Sequence, residues 1–461
     1  MLDKNLVADV LTCAMSTGGS FAEIFVEETA RNRLSLVDNK VDKSRSGIDY
    51  GAGIRIFDGT NAVYAYTNDT GRENLLKVAA EAAAAVKTKS NAQIIPLQVL
   101  NFATVVPLGT AFDTVAKTVI VDKLKTAGNS AKSYSGLITQ VSGVYHDFTS
   151  TVLIANTEGV WAEDKREYTS AWFTAIASEG AEKQTARRSR SGRGGFDAFD
   201  GLDFAEMGKV AAENAVKMLS AGYAPGGRMP VIISNGWGGV LLHEAIGHSL
   251  EAFFVAKKAT EFHDKVGTRV AHDMVTVIDD GTIKGGWGSI NVDDEGHLPQ
   301  RNVLVENGIL KGFLVDKLSG LKTGLATTGS GRREGYRFAP TSRMTNTFFE
   351  AGTSTFDEII AATEYGLYAK KLGGGSVNPA TGDFNFGCDE AYMIRGGKIA
   401  EPVRGASLIG KGADVMANVD MLGNDFAIEG GGYCGASSGT VPADNGQPTV
   451  RVSEMTVGGR S

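Results

Sequence analysis

Cysteine is scarce in this chain of 461 residues: Cys13, Cys388 and Cys434 are its only three. An odd, sparse set builds no disulfide framework, which excludes a stapled secreted scaffold and points to a reducing compartment. Long apolar runs are missing as well. None approaches the roughly 20 residues that a membrane-spanning helix needs. Met1-Leu2-Asp3-Lys4-Asn5 opens no secretory signal, so the expectation is a cytoplasmic protein without a membrane partner. Basic excess is also absent: 46 Lys and Arg stand against 53 Asp and Glu, for a formal net charge of −7. Binding a phosphate backbone calls for the opposite sign, which argues against nucleic acid as the main partner. Proline is rare, at 10, whereas glycine reaches 59. Scattered glycine without proline or serine enrichment suggests many turns and closely approached backbones rather than linkers. With 42% hydrophobic residues the chain can bury a sizeable core, so disorder is not expected.

The pattern along the chain is α+β in two parts. Helical spacing predicts helices over 6–15, 74–87, 114–134 and 203–221. Strand-like runs occupy 21–27, 33–37, 50–57 and 61–66, with Asp58-Gly59 as a hairpin signal. Two more fall at 138–154 and 161–177. The segment 179–193 carries Arg187, Arg188, Arg190 and Arg193 and reads as a solvated loop. Residues 90–108 have no clear period and suit a connection between two subdomains. Pro225-Gly226-Gly227 gathers helix-ending and turn residues, and marks the boundary between a mixed N-terminal domain, 1–225, with a possible subdomain break near 90–110, and a mainly β C-terminal domain, 226–461. Short strands are expected there at 229–234, 275–279, 303–305, 310–315, 391–394 and 449–452.

The chemistry concentrates in Leu242-His243-Glu244-Ala245-Ile246-Gly247-His248-Ser249-Leu250-Glu251. On a helical wheel Leu242, Ala245, Ile246, Ser249 and Leu250 form a core stripe. His243, Glu244, Gly247, His248 and Glu251 fall on the opposite side. A polar helix face is usually only solvated. Here two of the chain's six histidines lie five residues apart beside a glutamate, and the flanking sequence is apolar or small. That pattern points to a metal site with Glu244 as the base that activates a water. The spacing carries a geometric difficulty. Imidazoles at i and i+4 reach one metal, but i and i+5 stand about 140° apart on an ideal α-helix. A single π-turn would bring them together, and Gly247 is a permissive place for it. A catalytic zinc takes a third protein ligand from elsewhere. Cys434, Cys388 and Glu251 all qualify by chemistry; Cys434 lies in Glu429-Gly430-Gly431-Gly432-Tyr433-Cys434-Gly435, where the backbone can approach closely. Glu251 suits equally a role orienting a ligand histidine. Cys13 lies on a helix face and reads as core. His263, His272 and His297 lack metal-like spacing. Arg332-Arg333, in a glycine-rich turn, suits a substrate carboxylate, a cleft wall or a plain charged loop.

Three blocks of residues together resemble one family. His243-Glu244-Ala245-Ile246-Gly247-His248, Gly331-Arg332-Arg333-Glu334-Gly335-Tyr336 with Arg343-Met344-Thr345-Asn346-Thr347, and Cys434-Gly435 with Gly446-Gln447-Pro448 are similar to the blocks of the TldD/PmbA family, in its metal-bearing TldD type. The ending Met455-Thr456-Val457-Gly458-Gly459 and the stretch 51–66 resemble it too, so the likeness covers most of the chain. The resemblance implies a zinc-dependent protease, with His243, His248 and Cys434 as zinc ligands and Glu244 as catalytic base. It also implies a dimer, either of two copies or with a paralogue lacking the metal motif, around an enclosed site for flexible or unfolded peptides. Family members were once described as modulators of DNA gyrase. Ser249 and Ala252 stand where the family often has glycine, and no lysine follows Cys434-Gly435. These departures bear on substrate preference rather than on the ligands.

Overall fold

A computed structural model describes residues 1–89, 92–378 and 381–460. Residues 90 and 91, which open the expected connection 90–108, lie outside the described residues, as does 461 at the end of the expected C-terminal part. The architecture is the expected α+β, with a strand-rich C-terminal region around the helix that carries His243 and His248.

The N-terminal half is built on a sheet with seven strands among the described residues. Its spine is the strands Ala22–Val37, Ile138–Asn156 and Val160–Glu179, flanked by Lys40–Asp58 and Asn61–Thr67. The runs expected at 21–27 and 33–37 are one continuous strand, and the run at 50–57 is the end of a longer one. Asp38 and Asn39 both take positive φ, 48° and 63°, which closes a two-residue turn between Ala22–Val37 and Lys40–Asp58. The segment expected as a loop at 179–193 is instead the edge strand Glu182–Arg193, paired residue by residue with Val160–Glu179. Its polar and charged side chains lie on both faces, so no apolar alternation announces it; charged residues on an edge strand also discourage pairing with other chains.

The two faces of this sheet have different fates. Ile24, Val26, Ile54 and Leu153 pack on the helices Lys4–Ala14 and Arg72–Ala84. Further along the same face Leu34, Tyr145 and Phe173 pack on Lys117–Tyr134 and Phe204–Ser220. Each of these helices buries the apolar stripe that its spacing predicts. The opposite face meets the C-terminal half through Phe25, Ile154 and Tyr336, and through Phe148, Tyr168 and Trp287. The connection before the third helix is tied to that half: Asn291 Oδ1 accepts the Val105 and Val106 amides at 2.8 and 3.1 Å.

The C-terminal half contains a six-stranded and an eight-stranded sheet among the described residues. The main core around them buries Val231, Ile246, Leu250, Leu408 and Val452 fully, and a smaller cluster gathers Ile232, Ile359 and Ile394. The strand expected at 310–315 ends at Leu310. Beyond it the backbone turns to bridge Leu314 to Glu251, so this short stretch serves the site rather than a sheet.

A candidate metal centre

The strand Gly227–Ile233 is paired on both sides, by Tyr365–Val377 and Val450–Gly458, and is buried at Val231, Ile232 and Ile233. It delivers the chain to the helix that starts at Val240. Leu242, Ala245, Ile246, Ser249 and Leu250 are buried, as their spacing predicts, and Leu241 joins them in the core. The segment His243–Gly247 is a π-helical turn, with the His248 amide donating to the His243 carbonyl five residues back. That widening puts the two imidazoles on one side, ring centroids 5.1 Å apart and perpendicular. Gly247 allows a close approach: a Cβ there would lie 2.4 Å from the Met344 sulfur. The helix stops at Leu250, where Leu314 bonds both sides of Glu251: its amide to the Leu250 carbonyl at 2.9 Å, its carbonyl to the Ala252 amide at 2.8 Å.

Cys434 arrives from a hairpin formed by Tyr433–Ala436 and Gly439–Pro442. Its sulfur lies 3.1 Å from His243 Nε2 and 3.2 Å from His248 Nε2. All three side chains are buried, at 5%, 7% and 4% exposure for His243, His248 and Cys434. These three donors lie within 4.8 Å of one another. Tetrahedral zinc with ordinary Zn–N and Zn–S lengths separates its nitrogen and sulfur ligands by about 3.5 Å. The observed edges are within a few tenths of that, and two imidazoles with one thiolate is a donor set that zinc favours. The residues therefore fit the metal.

The electrostatics favour a thiolate. Burial alone raises the Cys434 thiol, but the charges of His243 and His248 and their hydrogen bonds outweigh it and hold the group well below its ordinary value. His248 is also buried, which disfavours its charged form; Glu251 and Cys434 overcome this and raise it well above the usual range. Glu251 Oε2 sits 3.2 Å from His248 Nδ1, fixing the ring so that Nε2 faces the sulfur. Of the rival donors, Glu251 is thus turned to the histidine's other nitrogen. Cys388 lies on the strand Asp383–Arg395, with its thiol pushed up to about 12 by burial and Asp389, and joins no such cluster among the described residues. Cys13 donates to the Leu76 carbonyl in the N-terminal half. Glu244 is the group beside the donors that solvent reaches: its side chain is 24% exposed and its Oε2 lies 3.8 Å from His248 Nε2.

Arg343 has no signature of its own in the sequence. It is fully buried, and its guanidinium donates to the Cys434 carbonyl, to Ser438 Oγ at 3.0 Å and to the Gly439 carbonyl at 2.8 Å. Its Nε also lies 3.7 Å from Glu251 Oε1. One side chain thereby ties the cysteine hairpin to the carboxylate that orients His248. Only its neighbourhood to Met344 and Thr345 marks it in the sequence.

Arg332 and Arg333 are buried ties rather than a free loop. Arg332 donates to the Met344 and Pro442 carbonyls, both at 2.6 Å, and Arg333 reaches Glu23 at 2.5 Å across the two halves. His297 groups with Asp293 and Glu295, which its spacing did not suggest. Those carboxylates are already engaged: Asp293 accepts the Glu295, His297 and Gly331 amides, and Glu295 accepts Arg55 and the Lys317 amide.

Family models match nearly the whole chain: PmbA/TldA metallopeptidase domain 1 over 22–86, the central domain over 112–219 and the C-terminal domain over 226–459. A Haemophilus influenzae protein named metalloprotease TldD homolog is 36% identical over 451 residues, covering 95% of this chain and 93% of its own. A Saccharolobus solfataricus protein named zinc metalloprotease TldD homolog is 28% identical over 53% of this chain and 54% of its own. In fold, a Thermotoga maritima structure given as a candidate modulator of a DNA gyrase superposes with a TM-score of 0.81 at 22% identity, covering 98% of this chain and all of that one. The matched models and the extent of the curated likeness lead to one assignment: this chain belongs to the PmbA/TldD metallopeptidase family.

Proposed function

We propose that the protein is a zinc-dependent peptidase acting on flexible or unfolded peptides, with His243, His248 and Cys434 as metal ligands and Glu244 as the general base. The observation that carries this reading is the convergence of two imidazole nitrogens and one acidified thiol beside a partly exposed carboxylate. Zinc bound by this set would supply Lewis acidity, bringing a water towards ionisation at neutral pH and polarising a peptide carbonyl. Glu244 accepts the proton of the attacking water and delivers it to the leaving amine. Glu251 keeps His248 in one tautomer, and Arg343 holds the cysteine hairpin against the helix. A purely structural metal would draw a fourth protein ligand. Glu251 and Cys388 are directed elsewhere, which favours the catalytic reading. The proposal includes assembly with a second chain, either a copy or a paralogue without the metal motif.

Elemental analysis tests the ligands: about one zinc per chain is expected in the wild type, and sharply less in Cys434→Ser. Glu244→Gln should retain the metal and lose roughly 10²- to 10⁴-fold in peptide turnover. Normal turnover in that variant refutes the base assignment. A wild type that takes up no zinc when supplied with it refutes the metal centre. Light scattering of the purified chain, alone and with the paralogue, reads the assembly; a monomer in both removes that part.

A further inference from the structure

Beyond the metal centre, one face of the N-terminal sheet carries an arrangement that the mechanism does not use. The face that meets the C-terminal half at Phe25 and Tyr168 continues past the contact. Pairing register places Arg31 beside Phe148, and Arg33 beside His146 and Arg45. Arg31 lies over the Phe148 ring at 4.9 Å, and Arg33 and Arg187 lie over Trp172 at 5.3 and 6.0 Å. Arg31, Arg33, Arg45 and Arg187 are exposed, and none is within ion-pair distance of a carboxylate among the described residues. Stacking occupies the flat side of a guanidinium and leaves its N–H edge available for a bidentate carboxylate. The nearby acids are engaged: Glu27 by the Thr29 and Ser150 hydroxyls, Asp49 by Arg337, and Asp42 faces Lys43 at 4.0 Å. His146, between Arg31 and Arg33, is lowered to about 4 by burial and by those two cations, so it adds no charge at neutral pH. The guanidiniums without a carboxylate partner, in a chain of net charge −7, make this face a place where an added anion is favoured.

The floor adjoins the hairpin that bears Cys434. Two hollows of about 310 and 340 Å³ share Arg33, and the first is walled by Tyr433 and Pro442 of the hairpin that bears Cys434. Tyr433 interacts with Ser170, which lies in the same cross-strand row as His146 and Arg33. Two strand spacings separate that row's ends, about 10 Å, or about three residues of extended peptide.

We infer that this arginine-lined sheet face is a specificity subsite for acidic residues of the peptide substrate. The inference rests on the peptidase reading for its substrate, while its binding can be measured without turnover. The probes are two labelled unstructured peptides of equal length, one with paired Asp and Glu residues and one with Ser in their place. They are titrated by fluorescence anisotropy into the full-length Glu244→Gln protein. The acidic peptide should bind at least about tenfold tighter, with the advantage falling as salt rises. Arg31→Glu with Arg33→Glu should abolish the difference, and Arg31→Lys with Arg33→Lys should restore much of it, which a folding defect would not do. With Glu244 intact, Arg31→Glu with Arg33→Glu should lower the acidic-to-neutral ratio of kcat/KM in parallel. Equal binding of both peptides overturns the proposal even where both are cleaved. Cleavage of neither, with acidic binding retained, removes the peptidase reading and leaves the acidic-peptide surface standing. Displacement of the acidic peptide by a DNA duplex at lower concentration than by unlabelled peptide overturns it in favour of nucleic acid. A salt-sensitive dimer lost in the glutamate variants, with peptide binding unchanged, overturns it in favour of a second copy.

Discussion

Two buried polar clusters in this molecule are built on opposite plans. Between the N-terminal sheet and the C-terminal half runs an ionic seam. Arg55 donates to Glu23 at 2.8 Å and to Glu295 at 2.6 Å; Arg166 to Asp164 at 2.8 Å and Asp294 at 2.6 Å; Arg333 reaches Glu23. Each of these three cations touches an anion, while Arg332 and Arg193 beside them are held by backbone carbonyls. At the candidate metal centre the donors are all of one kind. His243 Nε2, His248 Nε2 and Cys434 Sγ are Lewis bases directed at one another, with no Arg or Lys among them. Such a grouping is favourable only when a proton or a metal cation is shared. The contrast teaches how to separate architecture from chemistry in a buried polar cluster. The former saturates its own charges, and the latter aims like donors at one point.

The comparison predicts separable failures. The largest effect should come from the seam. Arg55→Met leaves Glu23 and Glu295 buried with less compensation, and breaking such a pair typically costs about 3–5 kcal/mol. Urea denaturation should register that loss, while the folded variant should keep its zinc. Loss of metal at unchanged stability would mean that the two clusters are one system.

Glu251→Gln addresses the other cluster and should act in the reverse sense. The amide still accepts from His248 Nδ1 but no longer carries the charge that raises the histidine. Removing such a partner typically weakens metal binding by about 10- to 100-fold. Competition with a chelator of known affinity measures it, and unchanged affinity would strip Glu251 of its orienting role.

What was readable in advance divides along similar lines. The four helices of the N-terminal half were legible because each has one apolar stripe, and the π-turn was legible because i and i+5 histidines require it. Glu182–Arg193 was not, because a strand with polar residues on both faces carries no period. The pairing of Cys434 with His243 spans 191 positions and has no local signal. Composition around the cysteine left three donors open, and only the similarity of distant blocks to a family singled it out. Arg343 entered only as part of the block Arg343-Met344-Thr345-Asn346-Thr347 and without a role, since nothing in the sequence says that this arginine is buried.

A single carboxyl sharpens the contrast further. Asp444 lies on the strand Asp444–Gln447 at 1% exposure, and no guanidinium or ammonium pairs with it among the described residues. Burial raises it from the ordinary 3.8 to about 8, against a backbone hydrogen bond from Asn445, and Glu429 adds to the rise. Glu23 is buried as well, but Arg55 and Arg333 hold it below its ordinary value; Asp444 has no such partner and keeps its proton. The sign of the consequence follows directly. Between about pH 4 and 8 the folded chain holds a proton that the unfolded chain has released. The folded state therefore binds more protons there, and stability falls as pH rises through that window. Asp444→Asn retains the shape of the neutral acid and removes the titration. Its stability curve should be flatter from pH 5 to 9, nearly matching wild type at the acid end. At pH 9 it should exceed wild type by at least about 1.4 kcal/mol, the equivalent of one pKa unit. A variant whose urea midpoint falls in parallel with wild type across that range would show that Asp444 is charged in the fold, and that a buried carboxylate here needs no arginine.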